Sequence, residues 1–336
     1  MIYEKKMFAV TGAVLDNNLI YWTSWKEKKL HKYNCKTQYI MEEYDFSNAC
    51  IFGETISKII KYDNSIVMIS YDNAYEILKY DLQKKNIEIL YQEKRNITVF
   101  NSFLIEDKIY IFPDSVNEDI IAYSIKEGNI IRYSWNKLSD KKFDENSKVY
   151  YMESYNGKLY GTFYDTNCFF ELSFNENVNC NFFYVKNDFR LSSIGVFQNG
   201  IYSNHASKNS FIFISNKGKT SEIELYKEEN DNQDGLQFCK IIKYGEKIFF
   251  IPNLNDYIYE YNVKTGKCSM IKYPPKFHRL DSSRLFWDSV EKDNLLYLFP
   301  HSGNGLLILN MDNSCLKFVE WAKTSFIQFL QGVIQL

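Results

Sequence analysis

Three observations in the 336-residue sequence predict an all-β fold, a seven-bladed propeller of four-stranded antiparallel blades. A short phrase recurs at a nearly constant period. Each period contains four strand-like stretches divided by polar turns. No segment sustains the apolar period of 3.6 residues that a long helix needs.

The phrase is a polar turn, then Ile or Leu, then an aromatic or β-branched residue and further apolar ones. It stands at Asn17-Asn18-Leu19-Ile20-Tyr21, Asp63-Asn64-Ser65-Ile66-Val67, Asp107-Lys108-Ile109-Tyr110 and Asn156-Gly157-Lys158-Leu159-Tyr160. It returns at Asn199-Gly200-Ile201-Tyr202, Gly245-Glu246-Lys247-Ile248-Phe249 and Asp293-Asn294-Leu295-Leu296-Tyr297. The anchors Tyr21, Val67, Tyr110, Tyr160, Tyr202, Phe249 and Tyr297 are spaced by 46, 43, 50, 42, 47 and 48 residues. Such a period marks stacked units that cannot bury their apolar faces alone. The expected blades are 8–45, 56–92, 98–135, 149–186, 192–227, 238–273 and 285–320, within a single domain over 1–336. Met1 to Leu15 is read as a strand rather than a secretory leader, because Thr11 and Gly12 interrupt its short apolar stretch.

The sixth period shows its strands most plainly. Phe238 to Tyr244 is a first strand, and Ile248-Phe249-Phe250-Ile251 follows the turn Gly245-Glu246. Tyr257 to Tyr261 and Cys268 to Ile271 complete the four. The aromatic and β-branched content suits a pleated sheet. A lone four-stranded sheet has two faces to bury. Radial stacking turns both into core. A ring left open exposes strand edges, so Ile2-Tyr3-Glu4 or Phe326 to Leu336 is expected to close it. The alternative is that the tail begins an eighth blade.

Ile248-Phe249-Phe250-Ile251-Pro252, Tyr259-Glu260-Tyr261-Asn262 and Thr265-Gly266-Lys267 resemble kelch-like propeller repeats. Ile109-Tyr110-Ile111-Phe112-Pro113 and Tyr297-Leu298-Phe299-Pro300 repeat the pattern. The double glycine usual in kelch second strands is absent, as is the Trp-Asp pair of WD40 repeats. The resemblance implies an interaction platform, with enzymes as a minority.

Composition narrows the function classes. Lys and Arg number 40 against 42 Asp and Glu, so no global basic field marks a duplex nucleic-acid partner. No apolar run is long enough for a membrane helix. Seven cysteines, an odd number, fit a reducing compartment and a cytoplasmic location better than a disulfide framework. The four histidines show no metal-ligand spacing and no Cys-x-x-Cys occurs, so neither a metal nor another cofactor is expected. No phosphate-cradling loop or nucleophile elbow is present.

Two placements of function remain. Nine residues before each anchor stand Gly12, Lys58, Asn101, Tyr151, Ser193, Lys240 and Asp288, a mostly polar row in otherwise apolar first strands. In a ring these converge on a channel. Lys58, Asn101, Ser193, Lys240 and Asp288, with Glu153, are the candidate ligand-binding residues at its mouth. The second placement is the loop-bearing face, with Trp25, Tyr71, Tyr164, His205, His301 and Arg279 as candidate partner contacts. The favoured expectation is a non-catalytic binding platform for a protein or peptide. The alternative is an enzyme or sensor acting on a carbohydrate or metabolite at the channel mouth.

Overall fold

The computed structural model describes residues 10–25, 27–49, 53, 55–138, 147–164, 166–174, 178–186, 188–206, 210–225, 238–253, 257–280 and 285–320. The segments expected to close the ring, Ile2-Tyr3-Glu4 and Phe326 to Leu336, lie outside them, as do residues 1–9 of the first expected strand.

Strands follow one another in antiparallel order. The first sheet holds β1 (Val10–Asp16), β2 (Leu19–Ser24), β3 (Glu27–Asn34) and β4 (Tyr39–Asp45). Next come β5 (Ile56–Tyr62), β6 (Ser65–Ser70), β7 (Asp72–Asp81), β8 (Asn86–Ile105), β9 (Lys108–Pro113), β10 (Ile120–Ser124) and β11 (Ile130–Tyr133). A short helix α1 (Trp135–Leu138) precedes β12 (Val149–Tyr155), β13 (Lys158–Phe163), β14 (Cys168–Phe174) and β15 (Val178–Tyr184). The remainder is β16 (Leu191–Phe197), β17 (Gly200–His205), β18 (Ser210–Ser215) and β19 (Thr220–Glu224), then β20 (Phe238–Tyr244), β21 (Lys247–Pro252), β22 (Tyr257–Asn262) and β23 (Lys267–Lys272). The last sheet is β24 (Phe286–Lys292), β25 (Leu295–Pro300), β26 (Gly305–Asn310) and β27 (Cys315–Glu320).

This arrangement corrects the expected blade count. Five sheets have four strands, β1–β4, β12–β15, β16–β19, β20–β23 and β24–β27, and the other has seven, in the order β11-β10-β9-β8-β7-β6-β5. Neither seven nor eight four-stranded blades are present. The cause is β8, a single 20-residue strand. Its sequence contains no Gly or Pro, so the expected break between residues 92 and 98 does not occur.

The periodic phrase has a backbone explanation. Four residues before each anchor, the chain takes a positive φ at Asn17 (57°), Asp63 (46°), Glu106 (56°), Asn156 (49°), Gly245 (58°) and Asp293 (55°). These residues turn the first strand into the second, where a left-handed residue matches the strand twist. The fifth period differs, with Gly200 at φ 146° instead.

The chain divides into two compact units, Met1–Lys94 with Tyr273–Leu336 and Arg95–Lys272. In the first unit β1 packs beside β5 and β24. One core cluster joins Val10, Trp22 and Tyr33 to Tyr297, Phe299 and Leu306, and another joins Tyr21 and Leu30 to Ile66, Met68 and Tyr80. In the second unit β16 packs beside β12 and β20. There Phe211 meets Phe250 at 4.7 Å between ring centroids, and Trp135 of α1 plugs the gap beside Phe112, Phe163 and Phe170. Innermost strands side by side, with aromatic clusters filling the space between sheets, make this an all-β propeller architecture. No helix among the described residues is long and apolar enough to cross a membrane.

Away from the inner strands, Glu43 of β4 is charged although its side chain is only 4% exposed. Tyr80 donates to its Oε1 at 3.1 Å, and the ammonium groups of Lys32 and Lys85 both pair with it. Burial pushes the Glu43 carboxyl up, but the two lysines outweigh it and hold it below the ordinary value of 4.5. A carboxyl depressed in the folded state stabilises fully above its unfolded value, and the benefit is lost as pH falls through the folded value. Thermal melts between pH 7 and pH 3 therefore show a Tm that drops over the acid limb, and Glu43→Gln lowers Tm at pH 7 while flattening that limb. Gly200 is the second test. A Cβ there would lie 2.2 Å from the carbonyl oxygen of Ile214, at a φ that L-residues avoid. In urea unfolding Gly200→Ala costs about 2–4 kcal/mol.

Candidate functional site

Every innermost strand carries one extra residue at the same point. Register shifts fall between Val10 and Gly12, Ile56 and Lys58, Val99 and Asn101, Val149 and Met152, Leu191 and Ile194, Phe238 and Lys240, and Phe286 and Asp288. These are β-bulges, which bend a strand and re-aim its side chains. The polar row picked from the sequence sits on them. Gly12, Lys58, Asn101, Lys240 and Asp288 resume the ladder, while Tyr151 and Ser193 lie inside the bulge.

In the first unit this row is drawn together by Asp288. Its Oδ2 accepts from Lys58 Nζ at 2.8 Å and from the Ala13 amide at 3.3 Å, and its Oδ1 accepts from the Ser289 amide at 2.9 Å. One carboxylate, 7% exposed, thus binds β24, β1 and β5. Lys58 matches its charge, so the pair reads as a neutralised bracket rather than a free acid or base.

The loop end of the same unit is aromatic. One residue past each second strand, the amide bonds back to the residue just before the first strand. Tyr71 donates to Thr55 O at 2.9 Å and His301 to Leu285 O at 2.8 Å. Trp25 holds the corresponding position after β2, because Val10 pairs with Ser24 as Ile56 pairs with Ser70 and Phe286 with Pro300. All three are aromatic, and the bulge residue Trp287 joins them. Trp25 lies edge-on to Tyr71 at 4.5 Å and within 6.3 Å of both Trp287 and His301. Trp287 lies 5.7 Å from His301 and 6.1 Å from Tyr71. Trp25 is 36% exposed and the other three are half-buried. Arg279 lies nearby in sequence, in a loop that bridges to Gly303, and Asn304 steadies that loop through the His278 amide (2.9 Å) and the Lys276 carbonyl (2.8 Å). Trp287 escaped the sequence reading, whose only signal was its place beside Asp288.

The second unit holds the other candidates. Tyr164 is 54% exposed and meets Tyr150 edge-on at 5.1 Å. Tyr150 contacts Tyr151 at 4.4 Å, and Asn253 donates to the Tyr151 hydroxyl at 2.6 Å. Asn101 Nδ2 donates to Tyr150 O at 3.0 Å. Ser193 gives both its amide and its hydroxyl to Asn204 Oδ1, at 3.0 and 2.5 Å. Glu153 and Lys240 are half-buried on β12 and β20. His205 is corrected. It is the last residue of β17, only 2% exposed, edge-on to Phe189 at 4.7 Å and 3.2 Å from Asp188 O. It is a packing residue, and the position after β17 belongs to the half-buried Ala206, whose amide donates to Arg190 O at 2.8 Å. A groove of about 480 Å³ beside Glu106, Tyr155 and Lys158 contains none of the candidates. Among the described residues no three His, Cys, Asp or Glu side chains gather to hold a metal ion.

No protein-family model matches the chain, and no curated protein sequence matches it. Solved structures do. The chain is similar to virginiamycin B lyase from Staphylococcus aureus, with a TM-score of 0.64 and 11% identity over 89% of this chain and 94% of that one. It is similar to Hsv2 from Kluyveromyces lactis, with a TM-score of 0.59 and 12% identity over 93% and 98%. A third likeness is to the β-propeller domain of Cps50 (Swd1) from Myceliophteria thermophila, with a TM-score of 0.59 and 9% identity over 90% and 97%. At these identities the likeness is one of fold, and the fold is the β-propeller.

Proposed function

We propose that the protein is a non-catalytic binding platform for a protein or peptide partner, with the aromatic end of the first unit as its contact surface. The observation that carries this reading is the convergence of Trp25, Tyr71, Trp287 and His301. Trp and Tyr lose little conformational entropy on binding and dominate interface energetics. Backbone bonds fix Tyr71 and His301 before any partner arrives, which lowers the ordering cost. Tyr164, the more exposed ring of the second unit, and Arg279 of the first are secondary contacts of the same kind. The kelch-like cast of the repeats and a cytoplasmic location belong to this reading, and the odd number of cysteines, seven, supports the latter.

The second reading is a carbohydrate- or metabolite-acting enzyme or sensor at the bulged ends of the inner strands, with Lys58 and Asp288 as its residues in the first unit and, separately, Asn101, Glu153, Ser193 and Lys240 in the second. One observation favours it. Asn253 Oδ1 is buried, with no hydrogen-bond partner among the described residues, beside the Tyr151 hydroxyl. The likeness to a lyase is of fold, and a fold hosts many functions.

Panning a random peptide library against the full chain tests the first reading. Selected peptides bind the wild type, and Trp25→Ala or Trp287→Ala weakens them at least about tenfold with little change in Tm. Binders indifferent to both variants overturn it. Asp288→Ala separates support from contact, because it strands Lys58, which is a third exposed. Urea unfolding then shows a loss of about 1–3 kcal/mol.

A further inference from the structure

We propose that the loop end of the second unit binds a neutral, hydroxyl-rich ligand, a free mono- or oligosaccharide, through the buried amide of Asn253 and the exposed ring of Tyr164. The proposal rests on the second reading, narrows it to one unit and one ligand class, and leaves the peptide surface of the first unit as it stands.

The starting observation is an unsatisfied amide. Asn253 stands one residue past β21 and is 1% exposed. Its Nδ2 donates to the Tyr151 hydroxyl at 2.6 Å, so the amide is aimed towards β12. Its Oδ1 is buried and has no hydrogen-bond partner among the described residues. Buried amide oxygens are nearly always bonded, so an orphan at the loop end calls for a donor from outside the chain.

Tyr151 leads outward from it. It sits in the bulge of β12, and its ring meets Tyr150 edge-on at 4.4 Å. Tyr150 meets Tyr164 edge-on at 5.1 Å. Exposure rises along that path, from Asn253 at 1% through the half-buried Tyr151 and Tyr150 to Tyr164 at 54%. The backbone of the path is pinned. Asn101 Nδ2 donates to Tyr150 O at 3.0 Å, and the Tyr164 amide donates to Lys148 O at 2.8 Å. Residues placed before a ligand arrives lower its ordering cost.

The chemistry of these groups selects the ligand. One amide and three phenols offer hydrogen bonds and ring faces, with no counter-ion among them for a charged ligand. A sugar hydroxyl both donates and accepts, so it satisfies the Asn253 oxygen and still bonds a neighbouring hydroxyl. The C–H face of a pyranose suits the electron-rich face of a phenol ring. A few placed polar groups inside, with an aromatic ring at the opening, are the ordinary make-up of a small-molecule site.

Saturation-transfer NMR of the full chain with N-acetylglucosamine, maltotriose, cellotriose and xylotriose tests the proposal, with glucose 6-phosphate and glucuronate as the anionic arm. At least one neutral sugar shows stronger transfer than the anionic arm. Asn253→Ala and Tyr164→Ala each raise its Kd at least about fivefold, with an unchanged far-UV circular dichroism spectrum, whereas Ser221→Ala on the exposed β19 leaves it unchanged. The exposed Tyr164 can be lost without cost to the core, so its variant decides the matter even if Asn253→Ala unfolds. Stronger transfer from the anionic arm overturns the proposal and keeps the second reading, through Lys240. A neutral sugar whose Kd withstands the folded variants also overturns the proposal, and silence from both arms overturns the second reading in this unit along with it.

Discussion

One surplus residue in each innermost strand governs how side chains are presented at the loop end of the sheets. A regular strand sends neighbouring residues to opposite faces with a period of two, and sliding it by one exchanges every inward residue for an outward one. The bulge breaks that alternation at a chosen point. In β24 it lets Trp287 stand half-exposed while the next residue, Asp288, turns inward to reach Ala13 and Lys58. The same displacement in β5 delivers Lys58 to meet it. The polar bracket and the aromatic surface beside it thus have one backbone cause.

The bracket and the aromatic surface also answer different physical demands. Asp288 is nearly inaccessible, and its value lies in holding three inner strands in register with matched charge. The rings around Trp25 pack at centroid distances of 4.5–6.3 Å, so they touch one another. Such a cluster offers a surface to lie against rather than a cage to enter. That geometry suits an extended partner with apolar side chains better than an enclosed small molecule.

The period was legible because its turn needs an unusual backbone. Asn17, Asp63, Asn156, Gly245 and Asp293 are residues that tolerate a positive φ, and they fall at a fixed distance before an apolar strand. The features that stayed hidden carry no such local mark. Strand ends are visible only when Gly, Pro or a polar cluster signals them, and β8 has none, so two periods merge where two blades were expected. His205 looked like a loop residue because its neighbours are polar, yet its pairing with Leu191 makes it the final residue of a strand. Trp25, Tyr71 and His301 were recognisable as single aromatics near turns. Their meeting with Trp287 depended on a bulge, which is a property of the pairing and not of any one strand.

The unit that bears the aromatic surface is assembled from both ends of the chain, Met1–Lys94 and Tyr273–Leu336, whereas the other is continuous over Arg95–Lys272. On the ribosome this difference becomes an order of events. The continuous unit has all its strands once Lys272 has emerged and is free to fold at that point. Trp22, Tyr33 and their neighbours, in contrast, wait for Tyr297, Phe299 and Leu306 to cover them. Trp25 and Tyr71 likewise acquire Trp287 and His301 only when the last sheet is made. A nascent chain stopped before β24 therefore holds a folded body, an uncovered apolar flank that invites chaperones, and half of the aromatic cluster.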